Sequence, residues 1–187
     1  AGTATSLIEP ADAAPVNSWT ADQLRAGFLG ARRDVSYLAA HFSSARLLAA
    51  DFSSRLAARE VAESPLDLAY ALVLSAGCHS GYNTVDRDAT SATEGPDWAQ
   101  AFARKQALWI AGTGYQYGDT DFIEYTERLL LEVVRALRAG AGPIPIGRAL
   151  VEAKRRYLAD TPILRGIHEK TLRSEEHTSE LQSLTNL

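Results

Sequence analysis

Short apolar runs alternate along the chain with segments whose apolar residues recur at helical spacing. Three of the runs are bounded by charged residues, Gly or Pro, and they suit strands that are buried on both faces of a parallel sheet. These runs are residues 34–42, 68–77 and 107–115. The helical pattern covers residues 21–31, 96–106, 122–142 and 145–160. Buried strands that alternate with helices predict an α/β sandwich with a mainly parallel sheet.

The predicted helices have recognisable ends and inward faces. Thr20 and Gln23 have the spacing of a capping box, Pro145 opens the last helix, and Gly140 ends the helix before it. The positions expected to face the core are Leu24, Phe28, Leu29, Trp98, Ala101, Phe102, Ile123, Leu130, Val133, Val134 and Leu137. Residues 44–63 fit either short strands or a helix, and the pattern does not decide between them.

Composition narrows the class of protein without indicating a function. The 187 residues suit one domain, and the net charge of −4 gives no reason to expect a nucleic-acid partner. No apolar stretch reaches the ~18 residues that a membrane span needs. A single cysteine, Cys78, cannot form an intramolecular disulfide. The chain has no Met, so we expect that its natural start is missing. Because the domain is expected to be truncated, we also expect residues 19–172 to fold poorly alone.

Both ends of the chain differ in character from its middle. Residues 1–18 are rich in Ala, Pro and Thr and are expected to be irregular. Residues 173–187 are polar and have no helical or strand period, and Arg173–Ser183 resembles a common DNA-sequencing adapter translated in frame. We therefore expect an artefactual or disordered tail after an N-terminally truncated domain in residues 19–172, and no catalytic part for His177.

The candidate chemistry lies where the predicted strands end. Parallel α/β sheets bind ligands outside the carboxyl ends of their strands. His41 follows the first strand, Cys78 the second, and the loop GTGYQYGDTD the third. Cys78 is either a buried small hydrophobe or a nucleophile, and its place between Gly77 and Gly81 favours the second interpretation. His41 is the preferred base, because the side chain of His79, next to Cys78 in sequence, is expected to diverge from it.

Other segments do not match the known catalytic, phosphate-binding or metal-binding motifs that they resemble at first sight. The segment GCHSG is not a nucleophile elbow, because its serine stands one place late. The loop after the third strand lacks the G-K-[ST] of a phosphate-binding loop. Asp119, Asp121 and Glu124 fit either a cleft or cation site or, more commonly, a solvated loop and helix start. His168 has no evident partner, and the spacing of Cys and His predicts no metal or cofactor site.

Four blocks of the sequence resemble the bacterial gingipain-like cysteine peptidases, relatives of caspases, legumains, clostripain and separase. The blocks are YLAAHF, LVLSAGCHSGYN, LWIAGTGYQYGDTDFIEYTERLL and IGRALVEAKRRYL, in that order, within Arg32 to Leu172. The resemblance implies a caspase-like three-layer α/β/α sandwich and a secreted or cell-surface protein. It also implies a thiol protease that hydrolyses peptide bonds in a peptide or protein substrate.

The resemblance assigns roles to three residues. Cys78 is the expected nucleophile that forms an acyl-enzyme, His41 is the expected acid and base, and the backbone N–H of Cys78 is the expected oxyanion donor. Many relatives have Gly directly after the histidine as a second donor, and here Phe42 occupies that position. The resemblance does not identify the substrate pocket or the acidic residue that orients the histidine. The alternative is a caspase-like fold with little or no peptidase activity, acting in interaction or secretion.

Overall fold

The computed structural model describes residues 4–8, 14–83, 95–119, 121–140 and 142–177. Parts of the two segments expected to be irregular, residues 1–3, 9–13 and 178–187, therefore lie outside the described residues. The helices are α1 (Ala21–Phe28), α2 (Ala58–Glu63), α3 (Trp98–Arg104), α4 (Tyr125–Arg138), α5 (Ile146–Ala159) and α6 (Gly166–Thr171). The strands are β1 (Val35–Leu38), β2 (His41–Phe42), β3 (Arg46–Leu48), β4 (Arg55–Ala57), β5 (Leu72–Ser75), β6 (Leu108–Gly112) and β7 (Ser174–His177).

The main sheet has the strand order β1-β5-β6-β7. Strands β1, β5 and β6 are parallel, with Leu38 opposite Ser75 and Leu74 opposite Ile110. The predicted α/β fold with a parallel sheet is therefore confirmed for these three strands. Strand β7 pairs antiparallel with β6, so residues 174–177 differ from the irregular tail expected after residue 172. Backbone pairing, rather than an apolar side-chain pattern, defines this edge strand.

The apolar run of residues 34–42 forms two strands and not the one predicted. After β1 the chain leaves the main sheet, and β2 joins a second, antiparallel sheet of order β2-β3-β4. The ambiguous residues 44–63 supply the rest of this small sheet and then α2. As a result, His41 does not end a strand of the parallel sheet. It lies opposite Leu48 on an edge strand of the small sheet.

Helices pack on both faces of the main sheet because its central strands are apolar on both faces. On one face, Val73 and Trp109 belong to an apolar cluster that also contains buried residues of α1, α2 and α3. On the other face, Leu72, Leu74 and Ile110 pack with buried residues of α4 and α5. The fully buried strand β5 is the pattern expected of a central parallel strand.

Most helix boundaries and inward faces agree with the sequence pattern. The capping box of Thr20 and Gln23 opens α1, and a second one, of Asp97 and Gln100, opens α3. Ile123 is an exception: it precedes α4 and is 64% exposed, so the prediction that it faces the core is wrong. In the described part of the chain, no helix combines the length and apolar character needed to cross a membrane.

Candidate catalytic site at the carboxyl edge of the sheet

Cys78 lies in a tight turn directly after β5. Within residues 77–82, backbone N–H groups are used to hold the turn. Gly77 donates to Ser75 Oγ (3.1 Å), His79 to Gly114 O (2.8 Å) and Gly81 to Gly112 O (2.9 Å). Ser80 and Tyr82 donate to carbonyls of the turn itself. In this fully described turn, the N–H of Cys78 is the one main-chain donor without an acceptor, so it is free to bind a ligand oxygen.

Two buried hydroxyl groups shape the same turn. Ser75 Oγ and Ser80 Oγ lie 2.9 Å apart, and Ser80 Oγ donates to Gly77 O at 2.7 Å. The indole N–H of Trp109 donates to Ser80 O at 3.0 Å. Because both serines are fully buried, losing one of these bonds would leave an unpaired polar group in the core. The turn is therefore held rigidly against β6. Sequence reasoning missed both serines, although they flank Cys78 closely.

The sulfur of Cys78 is half-buried and lies against the backbone of Gln116. Gln116 N–H donates to Sγ at 3.4 Å, and the thiol donates to Gln116 O at 3.5 Å. The loop after β6 therefore contacts the turn after β5, as expected for neighbouring parallel strands. Gln116 itself did not stand out in the sequence, because it is a single amide in a polar loop.

His41 is exposed on β2, and its ring packs against the ring of Phe52 with 5.5 Å between centroids. No hydrogen bond links the described side chains of His41 and Cys78. Each residue nevertheless follows the carboxyl end of a main-sheet strand by the same number of residues. Leu38 is paired with Ser75, His41 follows three residues after Leu38, and Cys78 follows three residues after Ser75. The two strands that precede His41 and Cys78 are therefore adjacent and parallel.

Phe42 connects the two segments. Its ring is buried against Trp98, with 5.4 Å between the centroids, and against the backbone of Gly77. A Cβ atom at residue 77 would lie 2.0 Å from Phe42 Cδ2, so only glycine permits this approach. The residue before Phe42 is His41 and the residue after Gly77 is Cys78. The close contact therefore packs the segment that carries His41 against the segment that carries Cys78.

The backbone N–H of Phe42 faces away from its partner strand. Hydrogen-bonded pairs alternate along an antiparallel ladder. Ser43 N–H donates to Arg46 O at 2.8 Å, so the opposed pair Phe42 and Leu47 is a non-hydrogen-bonded one. Strand β2 lies at the edge of its sheet. The N–H of Phe42 is thus directed to the open side of β2, where β3 cannot accept it.

His79 and His168 have structural surroundings. His79 has a left-handed backbone (φ 56°), and its ring packs edge-on against Tyr115 with 4.6 Å between centroids. His168 is buried, and its Nδ1 accepts the N–H of Arg165 at 3.0 Å, which opens α6. His168 therefore has a structural hydrogen-bond partner that was not evident from the sequence. Its ring also lies near Tyr125, with 5.4 Å between centroids.

The acidic residues of the loop before α4 bind local groups. Asp119 accepts the N–H groups of Asp121 (2.9 Å) and Phe122 (3.2 Å), and Glu124 pairs with Arg128 (3.1 Å). Among the described residues, no three His, Cys, Asp or Glu side chains are grouped so that they could hold a metal ion. This arrangement is that of a solvated loop and helix start.

Fold and site together define an α/β protein with a constrained thiol at the carboxyl edge of its parallel sheet. Comparison of the chain with known protein families, with curated proteins and with solved structures finds no match.

Proposed function

We propose that this chain is a cysteine peptidase domain of the caspase-like class, resembling gingipains, with Cys78 as nucleophile and His41 as acid and base. The observation that carries the proposal is the free N–H of Cys78 in a turn whose other N–H groups are all bonded. A thiol beside an unpaired donor is the arrangement that acyl transfer needs, because the donor can bind the oxygen that becomes negative.

The chemical steps follow from these groups. The thiol of Cys78 loses its proton to His41, and Sγ forms a bond to the peptide carbonyl carbon while the carbonyl oxygen becomes an oxyanion. The C–N bond then breaks, and His41 returns the proton to the leaving amine. In the second half, water gives a proton to His41 and attacks the thioester. The C–S bond breaks, and the carboxylic acid and the free thiol are released.

Phe42 is the proposed second oxyanion donor. Gingipain-like peptidases with Gly at this position have no side chain near the substrate, whereas Phe42 adds a ring. Here the Phe42 ring is buried towards Gly77 and Trp98, and the N–H faces the open edge of β2. This orientation supports a donor role, because the bulk and the N–H point to different places.

The proposed fold is the three-layer, caspase-like sandwich. Apolar clusters on both faces of the parallel sheet support it, as does the position of the two candidate residues after adjacent strands. The absence of a hydrogen bond between Cys78 and His41 is compatible with this class, because the histidine acts on the substrate amine and not only on the resting thiol.

The test is hydrolysis of a mixed-sequence peptide library by the complete chain. We expect Cys78→Ala and His41→Gln each to lose at least ~100-fold in rate. The matched control is His79→Asn, which removes the neighbouring imidazole but tolerates a left-handed backbone, and which should stay within a few-fold of the parent chain. Mass spectrometry should detect an acyl adduct on Cys78. Equal hydrolysis by the parent chain and Cys78→Ala would overturn the assignment.

One observation favours the alternative, a caspase-like domain with little or no peptidase activity. The thiol of Cys78 donates to Gln116 O, and no hydrogen bond among the described side chains joins it to His41. In that case iodoacetamide should label Cys78 no faster than it labels an ordinary thiol at neutral pH, since alkylation follows the thiolate fraction. Rapid labelling together with library hydrolysis would reject this alternative.

A further inference from the structure

We propose that Thr126 and Gln116 form a positioning pair that fixes the sulfur of Cys78 from the first turn of α4. Neither residue takes part in the proposed chemistry. Gln116 is 7% exposed and Thr126 is fully buried, so both belong to the interior rather than to a substrate surface. The inference deepens the proposed function, but its central measurement concerns thiol reactivity and does not need peptidase activity.

The pair is connected by well-matched hydrogen bonds. Thr126 Oγ1 donates to Gln116 Oε1 at 2.9 Å and accepts the N–H of Tyr117 at 3.3 Å. Thr126 N–H donates back to Tyr117 O at 3.1 Å. The Gln116 amide nitrogen donates to Tyr115 O at 3.2 Å. Three of these hydrogen bonds attach residues 116 and 117 to Thr126 of α4. The Thr126 hydroxyl donates one hydrogen bond and accepts another.

The end of β6 leaves room for the Gln116 amide. A Cβ atom at residue 112 would lie 1.9 Å from Gln116 Nε2 and 2.0 Å from Cδ, so the buried amide occupies the space that a side chain on Gly112 would need. The carbonyl of Gly112 also accepts the N–H of Gly81. The same residue thus contacts the Cys78 turn through its backbone and admits Gln116 through its missing side chain.

The consequence for Cys78 follows from the backbone of Gln116. Its N–H is 3.4 Å from Sγ and its carbonyl is 3.5 Å from Sγ, so one residue holds both sides of the sulfur. A thiol can use both groups. An intact pair therefore holds the half-buried sulfur between these two groups, and loosening the loop exposes it.

The experiment is the pH profile of alkylation by iodoacetamide, with the complete chain. Cys78 is the only cysteine, so every labelled thiol reports this position. Thr126→Val keeps the shape and removes the hydroxyl, whereas Thr126→Ser keeps the hydroxyl and serves as the matched control. We expect the Thr126→Ser profile to coincide with that of the parent chain. We expect the Thr126→Val chain to be alkylated at least ~3-fold faster across the profile, because Gln116 no longer holds the half-buried sulfur in place.

A second variant protects the test against simple misfolding. Thr126→Val removes the hydroxyl partner of the Gln116 amide oxygen, whereas adding Gln116→Met replaces both side chains of the Thr126–Gln116 bond by apolar groups of similar size. A cooperative urea transition checks that the double variant folds, and its alkylation should be faster than that of the parent chain by the same factor. Profiles for Thr126→Val and for the double variant that coincide with the parent profile would overturn the positioning role.

The outcomes separate this inference from the proposed function. Faster alkylation of Thr126→Val in a chain that hydrolyses no peptide would support the pair and reject the peptidase. An unchanged profile in a chain whose hydrolysis depends on Cys78 would reject the pair and support the peptidase.

Discussion

Replacing Gly77 by Ala tests the contact that joins the two candidate segments. The added Cβ atom would lie 2.0 Å from Phe42 Cδ2, 2.4 Å from Cγ and 2.7 Å from Cε2. These distances are far below van der Waals contact, so the ring must move. The ring cannot rotate freely, because Phe42 is buried and packs edge-on against Trp98. The substitution therefore either strains the turn after β5 or displaces the segment that carries His41.

Strain in the turn and displacement of the Phe42 ring give the limits of the expected loss in unfolding free energy. Strain from an extra methyl group in a packed core costs about 1–3 kcal/mol. Complete displacement of the ring would approach the cost of removing it, about 3–5 kcal/mol for Phe→Ala. We therefore expect Gly77→Ala to lower the free energy of unfolding by about 2–4 kcal/mol. A domain of this size has only about 5–15 kcal/mol in total, so the midpoint of unfolding should fall clearly.

The assay is urea unfolding of the complete chain at constant m value. Gly114→Ala is the matched control, because it lies in the neighbouring loop and a Cβ atom there meets nothing within 4 Å. It should change stability by less than about 0.5 kcal/mol. In the double variant Gly77→Ala/Phe42→Ala, the loss should be smaller than the sum of the single losses by about 0.5–3 kcal/mol. Additive losses, or a Gly77→Ala variant as stable as the control, would refute the close contact.

Three further substitutions test features away from the site. Gly27 lies inside α1 with nothing within 4 Å of an added Cβ atom, so Gly27→Ala should stabilise the chain by about 0.5–1 kcal/mol in urea unfolding. Arg25 hydrogen-bonds Glu60 at 2.6 Å and holds the pKa of that carboxyl below its usual range. A carboxyl group with a depressed pKa stabilises the fold at pH values above its pKa in the unfolded chain, about 4.3. This stabilisation is lost as the pH falls further, through the pKa of the folded chain. Glu60→Gln should therefore lower the free energy of unfolding by about 0.5–1 kcal/mol at pH 7 and hardly change it near pH 2. A difference in unfolding free energy that stays constant across this pH range would contradict the ion pair. Hydrogen bonds from the Ser54 hydroxyl and the neighbouring backbone lower the pKa of Asp51 to about 2. The carboxyl signal of Asp51 in an NMR titration should therefore have a midpoint near 2. A midpoint near 4 would show that these hydrogen bonds do not form in solution.

The elements that the sequence predicted well are those whose signal is local. The capping box of Thr20 and Gln23 joins residues one helical turn apart, and the buried run of β5 is apolar on both faces whatever its neighbours are. The break between β1 and β2 was not predictable in the same way. Ala39 and Ala40 lie there, and neither carries a turn signal. The bend is determined by the pairing of His41 with Leu48, which depends on a hairpin partner further along the chain.

The residues of the candidate site also differ in whether a local sequence signal predicts their position. The position of Cys78 at the carboxyl edge could be predicted, because a buried parallel strand followed by glycine defines that edge. The pair of Gln116 and Thr126 could not, because it joins a loop to a helix through one buried amide and one hydroxyl. Such residues are ordinary in a polar loop or a helix start, and only the folded chain shows that they meet Cys78.

The departure of His41 from the main sheet changes what Phe42 can do. Leu72 N–H donates to Asp34 O and Ala76 N–H to Leu38 O, so the even-numbered residues of β1 face β5. If β1 continued straight through residue 42, the N–H of Phe42 would also face β5 and would pair with the carbonyl of Cys78. Instead the chain bends after Leu38, and β5 ends in the turn that holds Cys78. Both bends are needed to leave the N–H groups of Phe42 and Cys78 unpaired at one edge. Under the proposed function, the small β2-β3-β4 sheet therefore contributes to catalysis by removing a ladder bond that a longer parallel strand would have formed.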